Sequence, residues 1–446
     1  MMDYQKEILD CGCGRHHSCQ VQEIQIGTDV LGQIPILLAP YEHILLVYDH
    51  NTYQVCGRQV ETLLRASHNQ LNVVLYPDAG LLVPNEESIR QLEQGIRPTT
   101  QVIVGVGAGV INDLCKYVSH CHGLPYMIVA TAPSMDGYAS QGSALMLKNM
   151  KVTYPAGGPR WIVAELEVLC NAPMKMIRSG VGDILGKWSS LNDWQLGHLV
   201  IGEPLCPMVY NMVWQQVIQC MADVPLIVKR DPTAIRHLME QLIQMGVAMS
   251  YMGNTRPASG SEHHLSHFYE VTGLLQGKPY FPHGIDVGYS AVVTSGLRLL
   301  LADASPLDFA NRHQQEEWEK QIHRVYGSAA QGVLDLQRQV GFYAESHRLD
   351  SIREHWGEIR ELLLSGPTPG QLLARLTQAG FDMEEFWRLY TPEMVEESIL
   401  YAKDLKDRYT LLWLLQDTGM LERLAARYVR EAGQPPYYVL AAGGTQ

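Results

Sequence analysis

The sequence predicts a parallel α/β domain followed by an all-α domain, on three observations. Short apolar runs alternate with helical patterns over the first 170 residues, a glycine-rich turn joins one such run to a helix, and strand-like runs largely vanish after Asn171. Alternating strand and helix implies a parallel sheet with right-handed crossovers. A chain of 446 residues also exceeds the size at which one core keeps growing. The expected domains are residues 1–170 and residues 171–446.

In chain order, Val21–Ile26, His43–Tyr48, Leu71–Leu75, Val102–Val106 and Tyr126–Ala130 read as strands. They are rich in Val, Ile and Leu without strict alternation, as expected for strands covered on both faces. Between them, Tyr53–Ala66, Asn85–Gln94 and Ile111–His120 carry helical periodicity. The second half holds long amphipathic segments, Met174–Leu196, Pro232–Met252 and Gln314–Val340. A further set runs from Asp350 to the C-terminus and is broken around Gly366, Pro369 and Gly370. No internal repeat is evident.

Composition narrows the function classes. Hydrophobic content of 46% and charged content of 18% are ordinary for a globular enzyme. A formal charge of −13 argues against a nucleic-acid partner, which needs a basic footprint. It leaves room for a small anionic substrate in a locally basic pocket. No apolar run reaches about 18 residues, so no membrane insertion is expected, and the first twenty residues lack a secretory core. Nine scattered cysteines are too few for a disulfide scaffold. A cytoplasmic location is expected. The cluster Cys11, Cys13, His16, His17 and Cys19 offers donors that suit zinc, although Cys-x-Cys is tighter than the usual spacing. A reduced polar entry segment explains it as well.

The run Val102-Ile-Val-Gly-Val-Gly-Ala-Gly-Val-Ile-Asn-Asp113 leaves a buried strand and enters a helix. Glycines at Gly105, Gly107 and Gly109 let backbone turn tightly and approach a pyrophosphate. The helix start beyond them offers unpaired N–H groups and a positive dipole end. The spacing is not the Gly-x-Gly-x-x-Gly of a dinucleotide fingerprint, and the turn follows the fourth strand rather than the first. Asp49, ending an earlier strand, suits an adenosine ribose hydroxyl or a simple strand-end turn. In Thr131-Ala-Pro-Ser-Met-Asp-Gly-Tyr-Ala-Ser140, small hydroxyl residues beside Pro and Gly suit a loop close to a ligand. There Thr131, Ser134 and Ser140 can bond a phosphate or amide, and Asp136 can face a substrate.

Three pieces of the second half point to a metal. In Ser179-Gly-Val-Gly-Asp-Ile-Leu-Gly-Lys187, Asp183 is expected at the front of a helix. In Pro257-Ala-Ser-Gly-Ser-Glu-His-His-Leu-Ser-His267, His263 and His267 are spaced to share a helix face. In Pro282-His-Gly284, His283 precedes a glycine. One carboxylate and two imidazoles with an open position make a catalytic shell able to polarise a ketone oxygen. Four of seventeen histidines fall within 263–283. The donor types suit Zn, Fe, Ni or Co without choosing among them.

In this order, the glycine turn, Thr-Ala-Pro-Ser-Met-Asp-Gly, Gly-Val-Gly-Asp, Arg-Pro-Ala-Ser-Gly-Ser-Glu-His and Pro-His-Gly resemble the sn-glycerol-1-phosphate dehydrogenases. These belong to the superfamily of iron-type alcohol dehydrogenases, glycerol dehydrogenases and dehydroquinate synthases. The likeness runs from about residue 20 to residue 300 and continues through Lys403-Asp-Leu-Lys-Asp-Arg-Tyr-Thr-Leu-Leu412. It implies a dehydroquinate synthase-like fold, with a Rossmann-like first domain and a helical metal- and substrate-binding second domain.

By the same resemblance, Asp183, His263 and His283 would hold one divalent ion (Zn, Ni or Fe). Gly109, Val110, Ile111, Asn112, Asp113, Thr131, Ala132, Pro133, Ser134 and Ser140 would contact NAD(H) or NADP(H), joined by Asp49 and Gly107 as read above from the strand end and the glycine turn. Asp136, Asp183 and His267 would contact the substrate, with Asp183 and His267 catalytic. The implied reaction is reversible reduction of dihydroxyacetone phosphate to sn-glycerol 1-phosphate, by a homodimer or higher homo-oligomer. Lys187 and Arg256 are candidates for the phosphate, against a surface salt bridge for either. The rival readings are a glycerol dehydrogenase acting on unphosphorylated substrate and a dehydroquinate synthase-like cyclase. A non-catalytic binder of metal and nucleotide is a third.

Overall fold

The computed structural model describes residues 6–67, 70–77, 80, 82–147, 150–310, 315–343 and 348–433. The chain forms two compact units. One is built on residues up to Ile184 together with Ala222–Thr255, the other on Leu185–Met221 and the residues from Arg256 onward. The expected division at residue 170 follows a change in secondary-structure texture, whereas the compact units interleave along the chain.

In the first unit, a small hairpin pairs β1 (Glu7–Ile8) with β2 (His17–Ser18). The main sheet uses β3 (Glu23–Gly27), β4 (His43–Asp49), β5 (Gln70–Tyr76), β6 (Val102–Gly107) and β7 (Tyr126–Ala130). These are the five expected strands, with ends shifted by two residues at most. A second hairpin, β8 (Gly142–Leu147) with β9 (Met150–Pro155), and a further sheet strand, β10 (Trp161–Glu165), were not expected. The short apolar run Trp161-Ile-Val-Ala164 is the signal for β10, which inserts between β3 and β7. The resulting six-stranded sheet is parallel throughout, in the order β3-β10-β7-β6-β4-β5.

That order creates a switch point. From β4 the chain moves outward to β5, then returns to lay β6 on the other side of β4 and moves on to β7. The connections leaving adjacent β4 and β6 therefore diverge, opening a crevice at their carboxyl ends, where open α/β sheets bind ligands. Tyr48 pairs with Val106 across this seam, so Asp49 and Gly107 end neighbouring strands. Both strands are held by a core that includes Leu46, Tyr48, Val104, Val106 and Val129.

Several helices begin where local chemistry starts them. Asn85 accepts hydrogen bonds from the N–H groups of Glu87 and Ser88 at 3.2 and 3.0 Å and so caps Glu86–Gln94. The expected helix at Tyr53 opens with a π turn, Tyr53–Gly57, before Arg58–Ser67. Pro232–Met252 has its expected bounds. Asp231 caps its start, Pro232 fills the first position, and Gly253 ends it in the left-handed region. The helix expected as Met174–Leu196 runs to Ile201, so Asp183 lies well inside it rather than at its front.

The second unit is helical. Gln314–Val340, expected as one element, is two helices, Gln315–Tyr326 and Ala330–Val340, parted by a short turn at Gly327 (φ +47°). Gln314 lies outside the described residues. Trp356–Leu364 and Pro369–Gln378 flank Gly366, as the expected break requires. Only His283–Ala302 is, among the described residues, long and apolar enough to cross a membrane, and 94% of that window is buried within the protein. It carries Asp286, which accepts from the Tyr390 hydroxyl at 2.7 Å, and Arg298, which donates to Asp193 at 2.6 Å. It is therefore a core helix.

Two glycines decide how closely helices meet the loop after β7. At Gly180 a Cβ would collide with the Pro133 carbonyl. At Gly246, on Pro232–Met252, it would lie 2.6 Å from the Ala139 nitrogen and 2.9 Å from its Cα. One turn further on, the Ser250 hydroxyl donates to the Ala139 carbonyl at 2.8 Å. Because the obstructing atoms are backbone, Gly246→Ala should cost about 1–3 kcal/mol of stability. Urea unfolding should show a lower midpoint at unchanged slope, and an unaltered midpoint would refute the close approach.

Candidate functional site

The strand β6 ends at Gly107, and the helix Gly109–Cys121 begins two residues later. A Cβ on Gly107 would fall 2.6 Å from Ile111, so only glycine lets strand and helix meet this tightly. The N–H of Asn112 is already bonded to the Ala108 carbonyl. The N–H groups of Gly109, Val110 and Ile111 therefore form the first turn, where helical N–H groups lack intrahelical acceptors and favour an anion. Asp49, at the end of the neighbouring strand, accepts from the Thr52 N–H at 2.7 Å in a capping box.

Other residues expected at the cofactor take up structural duties. Asn112 is fully buried, donating to the Gly137 carbonyl at 3.4 Å and accepting from the Tyr126 hydroxyl at 2.9 Å. Asp113 lies 3.8 Å from Lys116. Thr131 continues the β7 ladder by donating its N–H to Gly107, and the Ala132 carbonyl accepts from Tyr138. Pro133 is the residue met by the glycine at 180, and Ser134 is buried.

Lys116 organises the end of this loop and was missed by sequence reasoning. Its ammonium is fully buried and donates to the Gly137 carbonyl (2.6 Å), the Ser140 hydroxyl (3.1 Å) and the Gly142 carbonyl (3.0 Å). Three donors meet three acceptors. Burial lowers its pKa, opposed by Asp113 and Asp136. A charged residue within the apolar pattern Leu114-Cys115-Lys116-Tyr117-Val118 was the available signal.

The two acids expected near the substrate meet within the first unit. The backbone N–H of Asp136 donates to Asp183 Oδ2 at 3.0 Å. Asp183 is completely buried, and a buried carboxylate needs such hydrogen-bond partners.

In the second unit, the rings of His263, His267 and His283 form one cluster. Centroids lie 5.1 Å apart for His263–His283, 5.5 Å for His267–His283 and 6.2 Å for His263–His267. His263 and His267 stand one turn apart on Ser261–Gln276, and His283 is the first residue of His283–Ala302. His263 Nδ1 lies 2.7 Å from Glu262 Oε1, a carboxylate oxygen that also accepts from the Gly260 N–H at 2.9 Å. Burial drives the His263 pKa far down, helped by Lys187, His283, His267 and Lys406. Its imidazole is therefore neutral, with Nδ1 oriented by the acid and Nε2 carrying a lone pair. An imidazole held in this way suits a borderline divalent cation.

His264 faces elsewhere, fully buried, with its pKa lowered by burial and by Arg408, Lys406 and Arg256. Lys187 and Arg256 are both buried, so neither is a surface ion pair. Arg256 is engaged by Glu203 at 2.9 Å and donates to the carbonyls of Asp193 and Tyr409 at 2.6 and 2.8 Å. Asp193, also missed, fastens the histidine-bearing helix. It accepts from the N–H of Ser261 (2.6 Å), the N–H of Leu411 (2.9 Å) and Arg298 (2.6 Å).

Comparison with known proteins agrees with the fold and the motifs. Residues 25–173 match the family model described as iron-containing alcohol dehydrogenase. A glycerol-1-phosphate dehydrogenase [NAD(P)+] of Bacillus licheniformis is 32% identical over 435 residues, 96% of this chain and 97% of that protein. One from Bacillus subtilis is 34% identical over 304 residues, 67% of this chain and 76% of that protein. Among solved structures, the iron-containing alcohol dehydrogenase of Thermococcus thioreducens matches with a TM-score of 0.61 at 14% identity. It covers 92% of this chain and 98% of that one.

The hub at Asp193 is testable without any ligand. Asp193→Ala strands the buried Arg298 cation and should cost about 3–5 kcal/mol. Chemical denaturation would measure it, and a cost below about 1 kcal/mol, the range of an exposed ion pair, would show that the hub is not holding the helix.

Proposed function

This chain belongs to the glycerol-1-phosphate dehydrogenase family, and from that premise we propose that it reduces dihydroxyacetone phosphate to sn-glycerol 1-phosphate, reversibly, with NAD(P)H. The observation that carries this reading is the histidine cluster, in which the rings of His263, His267 and His283 gather within 5.1–6.2 Å of one another and His263 is held by Glu262. Asp183, His263 and His283 would hold one divalent ion, Zn, Ni or Fe. Bound there, the ion would act as a Lewis acid toward the substrate's carbonyl oxygen.

The nucleotide is assigned to the α/β portion, residues 1–170, and the metal and phosphorylated substrate chiefly to residues 171–446. The N–H groups of Gly109, Val110 and Ile111 would take the pyrophosphate, and Asp49 the adenosine ribose. Thr131, Ser134 and Ser140 line the loop that Lys116 fastens. As hydride reaches C2 of the ketone, negative charge grows on its oxygen and a proton must follow. His267, only half-buried, can relay that proton from solvent. Asp136 would accept a substrate hydroxyl.

The substrate phosphate needs cations. Of the two candidates, the buried Lys187 is assigned the phosphate. Arg256, consumed by Glu203 and two carbonyls, is given a structural role. The homo-oligomer and the cytoplasmic setting belong to the same reading.

Oxidation of NADH or NADPH should follow addition of dihydroxyacetone phosphate, stop with a chelator, and give the sn-1 product on chiral analysis. Equal activity on unphosphorylated dihydroxyacetone would favour a glycerol dehydrogenase instead. Asp183→Ala or His283→Ala should remove bound metal and most turnover while nucleotide binding persists; full activity in either would defeat the ligand set. Glu262→Ala, which frees His263 Nδ1, should weaken metal affinity about 10–100-fold. Competition with a chromogenic chelator measures that change.

A further inference from the structure

A second cluster of metal-ligating side chains lies near the N-terminus, in the first unit, and the proposed reaction makes no use of it. The hairpin of β1 and β2 sets Ile8 opposite His17 and Glu7 opposite Ser18, and its connection carries Cys11 and Cys13. A turn at its tip is closed by the Gly14 N–H on the Cys11 carbonyl at 2.8 Å, with Gly14 at φ +75°. That conformation favours glycine and folds the two cysteines back together. Sγ of Cys11, Sγ of Cys13 and a ring nitrogen of His17 all lie within 4.8 Å of one another.

The histidine is arranged as a ligand. His17 is completely buried. Its Nδ1 lies 2.8 Å from the Tyr251 carbonyl oxygen, which can only accept, so Nδ1 carries the ring proton. Nε2 then presents a lone pair, and it lies 3.3 Å from Cys13 Sγ. Two ligand atoms on a tetrahedral zinc ion, with Zn–S of about 2.3 Å and Zn–N of about 2.0–2.1 Å, sit roughly 3.5 Å apart. A backbone carbonyl fixing the distal nitrogen is the usual partner of a metal-bound histidine.

The neighbouring donors are excluded. His16 turns outward and lies 3.0 Å from Glu7. Cys19 is buried and does not join the group of donor atoms that lie within 4.8 Å of one another. His17, not His16, is thus the imidazole that joins the thiols.

We propose that Cys11, Cys13 and His17 form a structural zinc site, separate from the catalytic metal, which fastens the N-terminal hairpin to the helix Pro232–Met252 through Tyr251. Two thiolates balance the ion's charge, and binding releases their two protons. A fourth donor completes the tetrahedron.

The test uses the full-length protein, grown with zinc and desalted. His283→Ala, which removes the catalytic metal, should retain one zinc per chain. Cys11→Ser, Cys13→Ser and His17→Ala should each lose that equivalent, while Cys19→Ser and His16→Ala keep it. Should the cysteine variants fail to fold, the unmutated protein still decides. Refilled with Co(II), it should show a near-ultraviolet thiolate-to-cobalt charge-transfer band and the intense visible bands of a tetrahedral ion. X-ray absorption at the zinc edge of His283→Ala should count at least two sulfur neighbours. Zinc absent from His283→Ala, a Cys13→Ser protein with undiminished zinc, or a cobalt spectrum without the thiolate band would each overturn the proposal. Because none of these readouts depends on turnover, they stand apart from the dehydrogenase assignment.

Discussion

A histidine can serve a cation only while its ring is neutral and its far nitrogen is held. Both conditions are physical demands on the residues around it, and the arrangement at His263 meets them at a cost. Burial keeps the imidazole from protonating, and Lys187 and Lys406 reinforce this by making a second positive charge unwelcome. The partner at Nδ1 is a carboxylate in a dry site, and burial with Asp193 nearby pushes its own pKa up to about 7. The Gly260 N–H on the same oxygen offsets part of that penalty. A backbone donor, a carboxylate and an imidazole thus form a chain in which each link makes the next usable.

The same logic explains why so many polar groups are buried in helices that read as apolar. Ser189, Asn192, Asp193 and Arg298 are all inaccessible to water, yet Arg298 reaches Asn192 at 2.8 Å, Ser189 at 3.0 Å and Asp193 at 2.6 Å. A satisfied network of this kind does little for net stability but is expensive to break. Its value is positional, since Asp193 also receives the first N–H of the helix that carries His263 and His267. In the first unit Lys116 does the equivalent work for a loop. Both are buried side chains that fix nearby backbone through several hydrogen bonds at once.

Much of the architecture was legible because it rests on local patterns. The five strands His43–Tyr48 and its companions announced themselves as Val- and Ile-rich runs, and Pro232–Met252 was readable from its cap, its proline and its terminal glycine. The strand β10 escaped because four apolar residues with no helical pattern beside them carry little periodicity. Asp183, expected at a helix front with flanking glycines opening space around its carboxylate, lies inside Met174–Ile201. In fact, Gly180 is helical and small so that the Pro133 carbonyl can approach, a tertiary demand with no local trace. The partners of Lys116 lie 21–26 residues away and those of the Asp193 carboxylate 68–218, so a lysine in an apolar pattern was the one local trace of either.

What separates the legible candidates from the illegible ones is where their partners come from. His263 and His267 share a helix face by spacing alone, so their pairing could be read from four residues of sequence. The N-terminal cluster could not be resolved that way, because Cys11, Cys13, His16, His17 and Cys19 are equally near one another along the chain. The β1–β2 pairing sets the buried His17 opposite Ile8, while His16, just before the strand, is exposed beside Glu7. The deciding contact then comes from the Tyr251 carbonyl, 234 residues away. Sequence proximity nominates donors, and only the strand pairing and a distant acceptor determine which nitrogen keeps its lone pair for a cation.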